Sequence, residues 1–223
     1  MSQVRSSSNN RVEHIEQALM AAHQHAMDAC GRPLSDMPEY FMCTSVAAHF
    51  DHQFSNFRYR LEGSVSQIIR SLSIPGEKSL LKKKETRASG RFDVVLFTKK
   101  SGKAAHIIEF KKGSKFTSLR YDIDRIALLA DSVGARSRLE TNYLVFITKR
   151  KSERDQESWQ QRLDEIVEDS LISRKKFRKT MTCKVKSVWR EESALPQMFA
   201  DDKKSGKKTK PFSVVIVELR TRT

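Results

Sequence analysis

No stretch of this 223-residue chain approaches the ~18 consecutive apolar residues that a membrane-spanning helix requires. The opening residues, MSQVRSSSNNR, lack the apolar core of a secretory signal. Cysteine is scarce. Cys30, Cys43 and Cys183 are widely spaced, and no CxxC pair or Cys/His cluster accompanies them. Such a pattern gives no sign of a disulfide framework or a zinc site, and it implies reduced core thiols in an intracellular, cytoplasmic protein. Apolar residues are also sparse, at 38% of the chain, while 31% are charged, so a core can form but much of the surface must carry charge. No internal repeat and no clean domain boundary is visible, which leaves one α/β domain.

What the sequence has in excess is positive charge, a net +15. A field of that sign attracts polyanions and specifies no fold. Nucleic acid is the commonest partner, ahead of an anionic membrane surface.

Periodicity supplies the elements. Residues 1–10 read as a polar, disordered tail. Asn10 with Glu13 forms a capping-box pattern ahead of Val12, Ile15, Leu19, Ala22 and Ala26, and Gly31 closes this helix. Asp36, Pro38 and Glu39 open a second helix, carrying Phe41, Met42, Val46 and Ala47 to about Phe50. Phe57, Tyr59 and Leu61 alternate with Arg58, Arg60 and Glu62 as a strand. Ser64 and Gln67 cap a short helix with Val65, Ile68, Ile69 and Leu72, ended by Pro75-Gly76. Residues 76–90 read as a polar, lysine-rich loop.

Two strands follow, Arg91–Thr98 and Ala104–Lys111, joined by a Lys/Ser/Gly turn that predicts a hairpin. A helix is expected over Leu119–Asp131 with Gly134 beyond its end, then a fully buried strand over Asn142–Thr148. Residues 155–172 put Trp159, Leu163, Ile166 and Val167 on one helical stripe. Strands are expected at Thr182–Trp189 and Phe212–Leu219. Between them lies a polar, mobile loop with Asp201-Asp202 and the basic run Lys203–Lys210. A second basic run is Arg174–Lys179. The order is that of a mixed-sheet α/β (α+β) domain.

The chemistry-bearing stretch is Arg91-Phe92-Asp93-Val94-Val95-Leu96 followed by Ile107-Ile108-Glu109-Phe110-Lys111. Its charged residues sit in apolar strands, where an unpaired carboxylate is costly and is ordinarily paired or metal-bound. Glu109 and Lys111, two apart on a strand, share a face. If Ser101 centres the hairpin, Asp93 and Glu109 are cross-strand partners. Their carboxylates then repel unless a cation lies between them, and Mg²⁺ favours one or two carboxylates plus water. Lys111 beside such an ion could hold or deprotonate the attacking water, or offset charge on a phosphate.

Over residues 36–149 this arrangement resembles the PD-(D/E)xK nuclease superfamily, which has a restriction-endonuclease-like core of helix, three-stranded meander, helix and strand. Residues 150–223 would be a C-terminal extension within one domain, 11–223. The superfamily's first motif aspartate falls on Asp93 and its (D/E)xK half on Glu109-Phe110-Lys111, with Phe92 where the motif name has proline. The resemblance implies Mg²⁺, with Mn²⁺ as a substitute, held by Asp93 and Glu109. It also implies an extra acid from the first core helix, which Glu39 matches. The competing account of Glu39 is a capping box with Asp36. Glu62 is expected at the surface. His49, His52 and His106 receive no role, with His106 on the face opposite Glu109.

Lys82, Lys83, Lys84, Arg87 and Arg91 precede the first motif strand, and Lys112 and Lys115 follow the second. They are expected to flank the site as nucleic-acid contacts. The expected function is a metal-dependent nuclease acting on nucleic acid, DNA before RNA, with a homodimer as one arrangement. The alternatives are a non-cutting binding module of the same fold and an RNA-binding scaffold of another fold. The latter calls for exposed aromatic platforms, whereas most aromatics here fall at apolar-periodic positions.

Overall fold

The structure, a computed structural model, describes residues 6–72, 74, 76–133, 139–150, 152–174, 177, 179–192 and 210–222. Its elements in chain order are α1 (Ser8–Cys30), a 3₁₀ turn (Leu34–Asp36), α2 (Glu39–Gln53), β1 (Phe57–Ser64), α3 (Val65–Ser71), α4 (Glu77–Lys82), a second 3₁₀ turn (Lys84–Thr86), β2 (Arg91–Thr98), β3 (Ala104–Lys112), α5 (Phe116–Ser132), β4 (Thr141–Thr148), α6 (Gln156–Glu168), α7 (Leu171–Arg174), β5 (Thr180–Glu191) and β6 (Phe212–Arg222).

The strands form one six-stranded mixed sheet in the order β1-β2-β3-β4-β6-β5. β1, β2 and β3 make an antiparallel meander. β3 and β4 are parallel. A parallel pair cannot be joined by a tight turn and needs a crossover of a dozen or more residues, which is the place of α5, 17 residues long. β6 and β5 then add antiparallel at the far edge. This is the mixed α/β layout expected, with α4 added where a loop was expected and the helix expected over 155–172 divided into α6 and α7.

Both sheet faces are covered. α1 and α2 bury Ile15, Leu19, Met42, Val46 and Phe50 against Val94, Leu96, Ile108, Phe110 and Tyr143. On the other face α3, α5 and α6 bury Ile68, Ile123, Ile126, Trp159 and Leu163 against Phe92, Val95, Ile107, Leu144 and Val215. With cover on both sides, all eight residues of β4 are buried, as a continuous apolar strand requires. Among the described residues no helix is long and apolar enough to cross a membrane.

Several local expectations change. α1 starts at Ser8, because the Ser7 hydroxyl accepts from the Asn10 amide and takes the capping role; Glu13 instead accepts from Gln17. Residues 8–10 therefore belong to the helix and not to a disordered tail. Asp36 does not cap α2. It lies in the first 3₁₀ turn and pairs with Lys149, while Pro38 precedes the helix with no side-chain cap. Residues 76–90 are not a plain loop, since α4 and the second 3₁₀ turn lie there with Leu80 and Thr86 buried. The β2–β3 register follows the expected centre at Ser101 through Leu96↔His106, then shifts between Leu96 and Phe97. β5 and β6 are longer than periodicity suggested. Cys43 is buried, but Cys183 is only half-buried and Cys30 is exposed, so they are not all core thiols. Lys179, at the end of the second basic run, is buried with its Nζ donating to the Ala130 carbonyl. Gly134, Pro75 and the Asp201–Lys203 part of the polar loop, through to 209, lie outside the described residues.

Gly63 on β1 marks a close approach. A Cβ added there would meet Val95 Cγ2, in the core, at 2.6 Å. Gly63→Ala is therefore expected to lower stability by about 1–3 kcal/mol, as overpacking does. Thermal unfolding checks this, and an unchanged melting temperature would show that Val95 can move aside.

Candidate active site

The β2–β3 ladder ends at Val94↔Ile108. One step further, side chains replace the backbone pairing. The Asp93 amide donates to Glu109 Oε2 (3.3 Å), and the Phe110 amide donates to Asp93 Oδ2 (2.6 Å). Asp93 and Glu109 thus lie on neighbouring antiparallel strands, each carboxylate bonded to backbone at or beside the other.

Glu109 is 3% exposed. Its Oε1 accepts from Arg125 Nη2 at 2.6 Å and from Lys111 Nζ at 3.1 Å. Lys111 shares the face of Glu109, as their spacing predicts, and also donates to the Phe110 carbonyl at 2.8 Å. Asp122 completes the cluster, 3.4 Å from Lys111 and 3.3 Å from Arg125. Arg125 stacks over Phe92, 4.2 Å from the ring centroid, and donates to the Arg91 carbonyl. Three carboxylates (Asp93, Glu109, Asp122) therefore face two cations (Lys111, Arg125), and with every carboxylate ionised the cluster carries one excess negative charge.

Burial pushes Asp93 up to about 6, with the nearby Glu39 and Glu62 adding to the rise against the Phe110 hydrogen bond and Lys111. Burial, then the charge of Asp93, pushes Glu109 up to about 7 against Arg125 and Lys111. For Lys111, burial alone would lower the pKa, but Glu109, Asp122, Asp93 and Glu39 together raise it above its usual value. Cys43 of α2 senses the same focus. Its thiol is pushed up by burial and by Asp93, Glu39, Glu109 and Glu62.

Glu39 sits at the start of α2 and reaches across to β3, where its Oε2 accepts from the Lys112 amide at 2.9 Å. It makes no capping box with Asp36. Glu62 is exposed as expected, but it lies opposite Asp93 in the β1–β2 register and takes a left-handed φ of 51°. Its charge reaches Asp93. His106 is buried, with Nδ1 2.7 Å from the Thr141 carbonyl. His49 faces His14 at 3.0 Å.

The basic residues divide. Lys112 and Lys115 stand at the end of β3 and the start of α5, and Lys112 Nζ donates to the Met37 carbonyl. Lys82, Lys83, Lys84 and Arg87 lie on and around α4 and the second 3₁₀ turn, which packs on α5. Among the described residues no hydrogen bond or ion pair joins them to the carboxylate cluster. Arg91 is exposed at the start of β2.

Asp122 and Arg125 escaped the sequence reading. The signal was their place on α5, since Asp122 stands three residues after Leu119 and four before Ile126, on the inward stripe.

Among the described residues, no three His, Cys, Asp or Glu side chains form a group that could hold a metal ion. The fit to Mg²⁺ rests on the donor set. Two hard-oxygen carboxylates are held together against their repulsion, Glu39 is near, and the cluster is net negative. Carboxylate oxygens are hard donors, the kind that suits Mg²⁺ better than Zn²⁺. Comparisons with protein-family models, curated proteins and solved structures find no match.

The raised carboxylate pKa values have a consequence for stability. Between the usual 3.8 and 4.5 and the raised 6 and 7, the folded state binds more protons than the unfolded chain. The contribution of these groups to stability is thus greatest below about pH 4 and falls as pH rises to about 7. Asp93→Asn removes one titration and the repulsion on Glu109. In EDTA, the loss of melting temperature from acid to neutral pH is expected to be smaller in Asp93→Asn than in the unmodified protein. Parallel profiles would rule out this source of pH dependence.

Proposed function

We propose that this chain is a metal-dependent nuclease of the PD-(D/E)xK type that hydrolyses phosphodiester bonds, DNA being the favoured substrate. The observation that carries the reading is the Asp93–Glu109 pair where the β2–β3 ladder opens, with Lys111 held 3.1 Å from Glu109. In this reading Asp93 and Glu109 hold Mg²⁺, with Mn²⁺ as a substitute, and Glu39 joins from α2. When bound, the ion supplies a Lewis acid for a phosphoryl oxygen and an activated water. Lys111 positions that water and offsets charge developing on the phosphate. Asp122 and Arg125 fix the orientations of Lys111 and Glu109. The net charge of +15 supports a polyanionic substrate. The cytoplasm is the compartment this reading implies, and a homodimer would allow paired cuts.

A second reading, a non-cutting nucleic-acid-binding module, is favoured by one observation. Glu109 already has two cationic partners, so its charge is compensated without an ion.

Cleavage of linear, circular, branched and single-stranded substrates in Mg²⁺, Mn²⁺ and EDTA separates the two. The nuclease reading expects metal-dependent cutting. It expects Lys111→Ala to lower the rate on the order of 10²–10³-fold, the usual cost of one transition-state electrostatic partner, with substrate Kd little changed. Glu39→Gln should weaken metal-dependent activity and leave the melting temperature nearly intact. Absence of cutting by the unmodified protein on every substrate would favour the binding module, and equal cutting by Lys111→Ala would remove Lys111 from the chemistry.

A further inference from the structure

β3 and β4 run parallel, so their C-terminal ends emerge at one edge of the sheet, where α5 begins. Gly113, at a φ of 105°, turns the chain out of β3, and its amide donates to the Ile147 carbonyl at 2.6 Å. Beyond it lies a cleft of about 660 Å³. Crevices at this end of parallel strands are where open α/β sheets commonly take ligands, and this volume is in the range of small-ligand sites, roughly 300–1,000 Å³.

The lining is unusual in charge. Lys115, Lys149, Arg150, Arg154 and Arg162 contribute, and no acidic residue does among the described residues. Lys149 has an acid partner in Asp36 and Arg162 has one in Glu165. Among the described residues Lys115, Arg150 and Arg154 have none. Like charges gathered in a concave wall focus a positive field, whereas on a convex surface water would screen them.

Two guanidinium groups are also pre-set by aromatic faces. Arg154 lies over Trp159 at 5.3 Å from the ring centroid, and Arg162 over Phe116 at 5.0 Å. Stacking holds the fork and lowers the ordering cost of binding an oxyanion. Trp159 is 3% exposed and lines the cleft, and among the described residues its Nε1–H has no acceptor. Ser114 and Thr148 add hydroxyls, 3.2 Å apart. Lys115 precedes α5 without a side-chain cap, so the first amides of a 17-residue helix lie at the same end.

We infer that this cleft is a phosphate-binding site that grips the nucleic-acid strand a short distance from the bond to be cut. The inference rests on the nucleic-acid reading above. Lys111 and Lys115 are four residues apart, at most roughly 13 Å of extended chain, so a strand engaged at Asp93 and Glu109 reaches the cleft within a few nucleotides. The phosphate is either an internal diester or a terminal monoester.

The test is binding in EDTA, where no cleavage intervenes. Labelled DNA duplexes carrying a 5′-phosphate or a 5′-hydroxyl are titrated with the unmodified protein and with Arg150→Ala/Arg154→Ala. Losing the grip on one phosphate is expected to raise Kd at least about 10- to 100-fold and, with one phosphate fewer neutralised, to flatten the log–log salt slope by about 0.9. An equal loss on both duplexes means the cleft takes an internal phosphate. A loss confined to the 5′-phosphorylated duplex means a terminal one. Unchanged affinity and slope on both would overturn the inference.

A second readout guards against a variant that fails to fold. Trp159 and Trp189 are the two tryptophans, so Trp189→Phe leaves Trp159 as the sole reporter. Its emission should change on titration with the same duplexes, and a constant emission at saturating duplex overturns the site. A protein that binds no duplex at all refutes the nucleic-acid reading itself. One that binds but does not cut leaves the cleft intact and refutes only the nuclease.

Discussion

Burying the Glu109 carboxylate is the constraint on which the rest of the site depends. At 3% exposure it cannot be served by water, and leaving such a charge without its partners costs about 3–5 kcal/mol. That is a large part of the 5–15 kcal/mol by which a domain is usually stable. Its strongest partner, Arg125, comes from the middle of the crossover helix and is itself buried. The guanidinium is fixed on three sides, by Phe92 beneath, the Arg91 carbonyl and Asp122. The position of α5 over β2 and β3 is thus set by charge as well as by Ile123 and Ile126. A loss of Arg125 would reach the core and the site together.

The cluster is balanced short of neutrality. Asp93 is the carboxylate for which the two cations leave no matching charge, and the Phe110 amide does part of the compensation. Amides are dipoles, and they hold a carboxylate without cancelling its charge. The result is a negative focus inside a molecule of net charge +15. A polyanion drawn in by the outer field would be repelled at Asp93 and Glu109. On the proposed reading, a divalent cation bound there would reverse the local sign and let a phosphate approach.

Much of this was legible because strand geometry is rigid. Glu109 and Lys111 had to share a face, and symmetry about Ser101 brought Asp93 opposite Glu109 even though the ladder shifts at Leu96 and Phe97. Helices were less transparent. Asp122 and Arg125 carry charges that ordinarily mark a solvated face, and only partners on β2 and β3 make their burial tolerable. The lysine-rich composition of residues 76–90 hid α4, which holds the fold through buried Leu80 and partly buried Leu81. Asp36 had every local mark of a cap, yet its partner Lys149 is 113 residues away in sequence, and no local pattern contains that. The start of α1 was a choice between neighbouring hydroxyl and amide caps of similar strength, and it is Ser7 that accepts from the Asn10 amide.

The parallel pairing of β3 and β4 explains why so many cations meet at one edge. In an antiparallel pair, the residues after one strand lie beside those before the other. Here the segments after both strands leave the sheet side by side, so Lys112 and Lys115 stand next to Lys149 and Arg150 without any helix or turn having been shaped for the purpose. α5 starts at that edge because a crossover must, and its N-terminal amides add to the same field. The carboxylates lie on the β2 side of β3 and the basic cleft on its β4 side. One strand therefore separates a negative focus from a positive one. A phosphodiester chain laid across the end of β3 would meet the two in succession, with Lys111 between them.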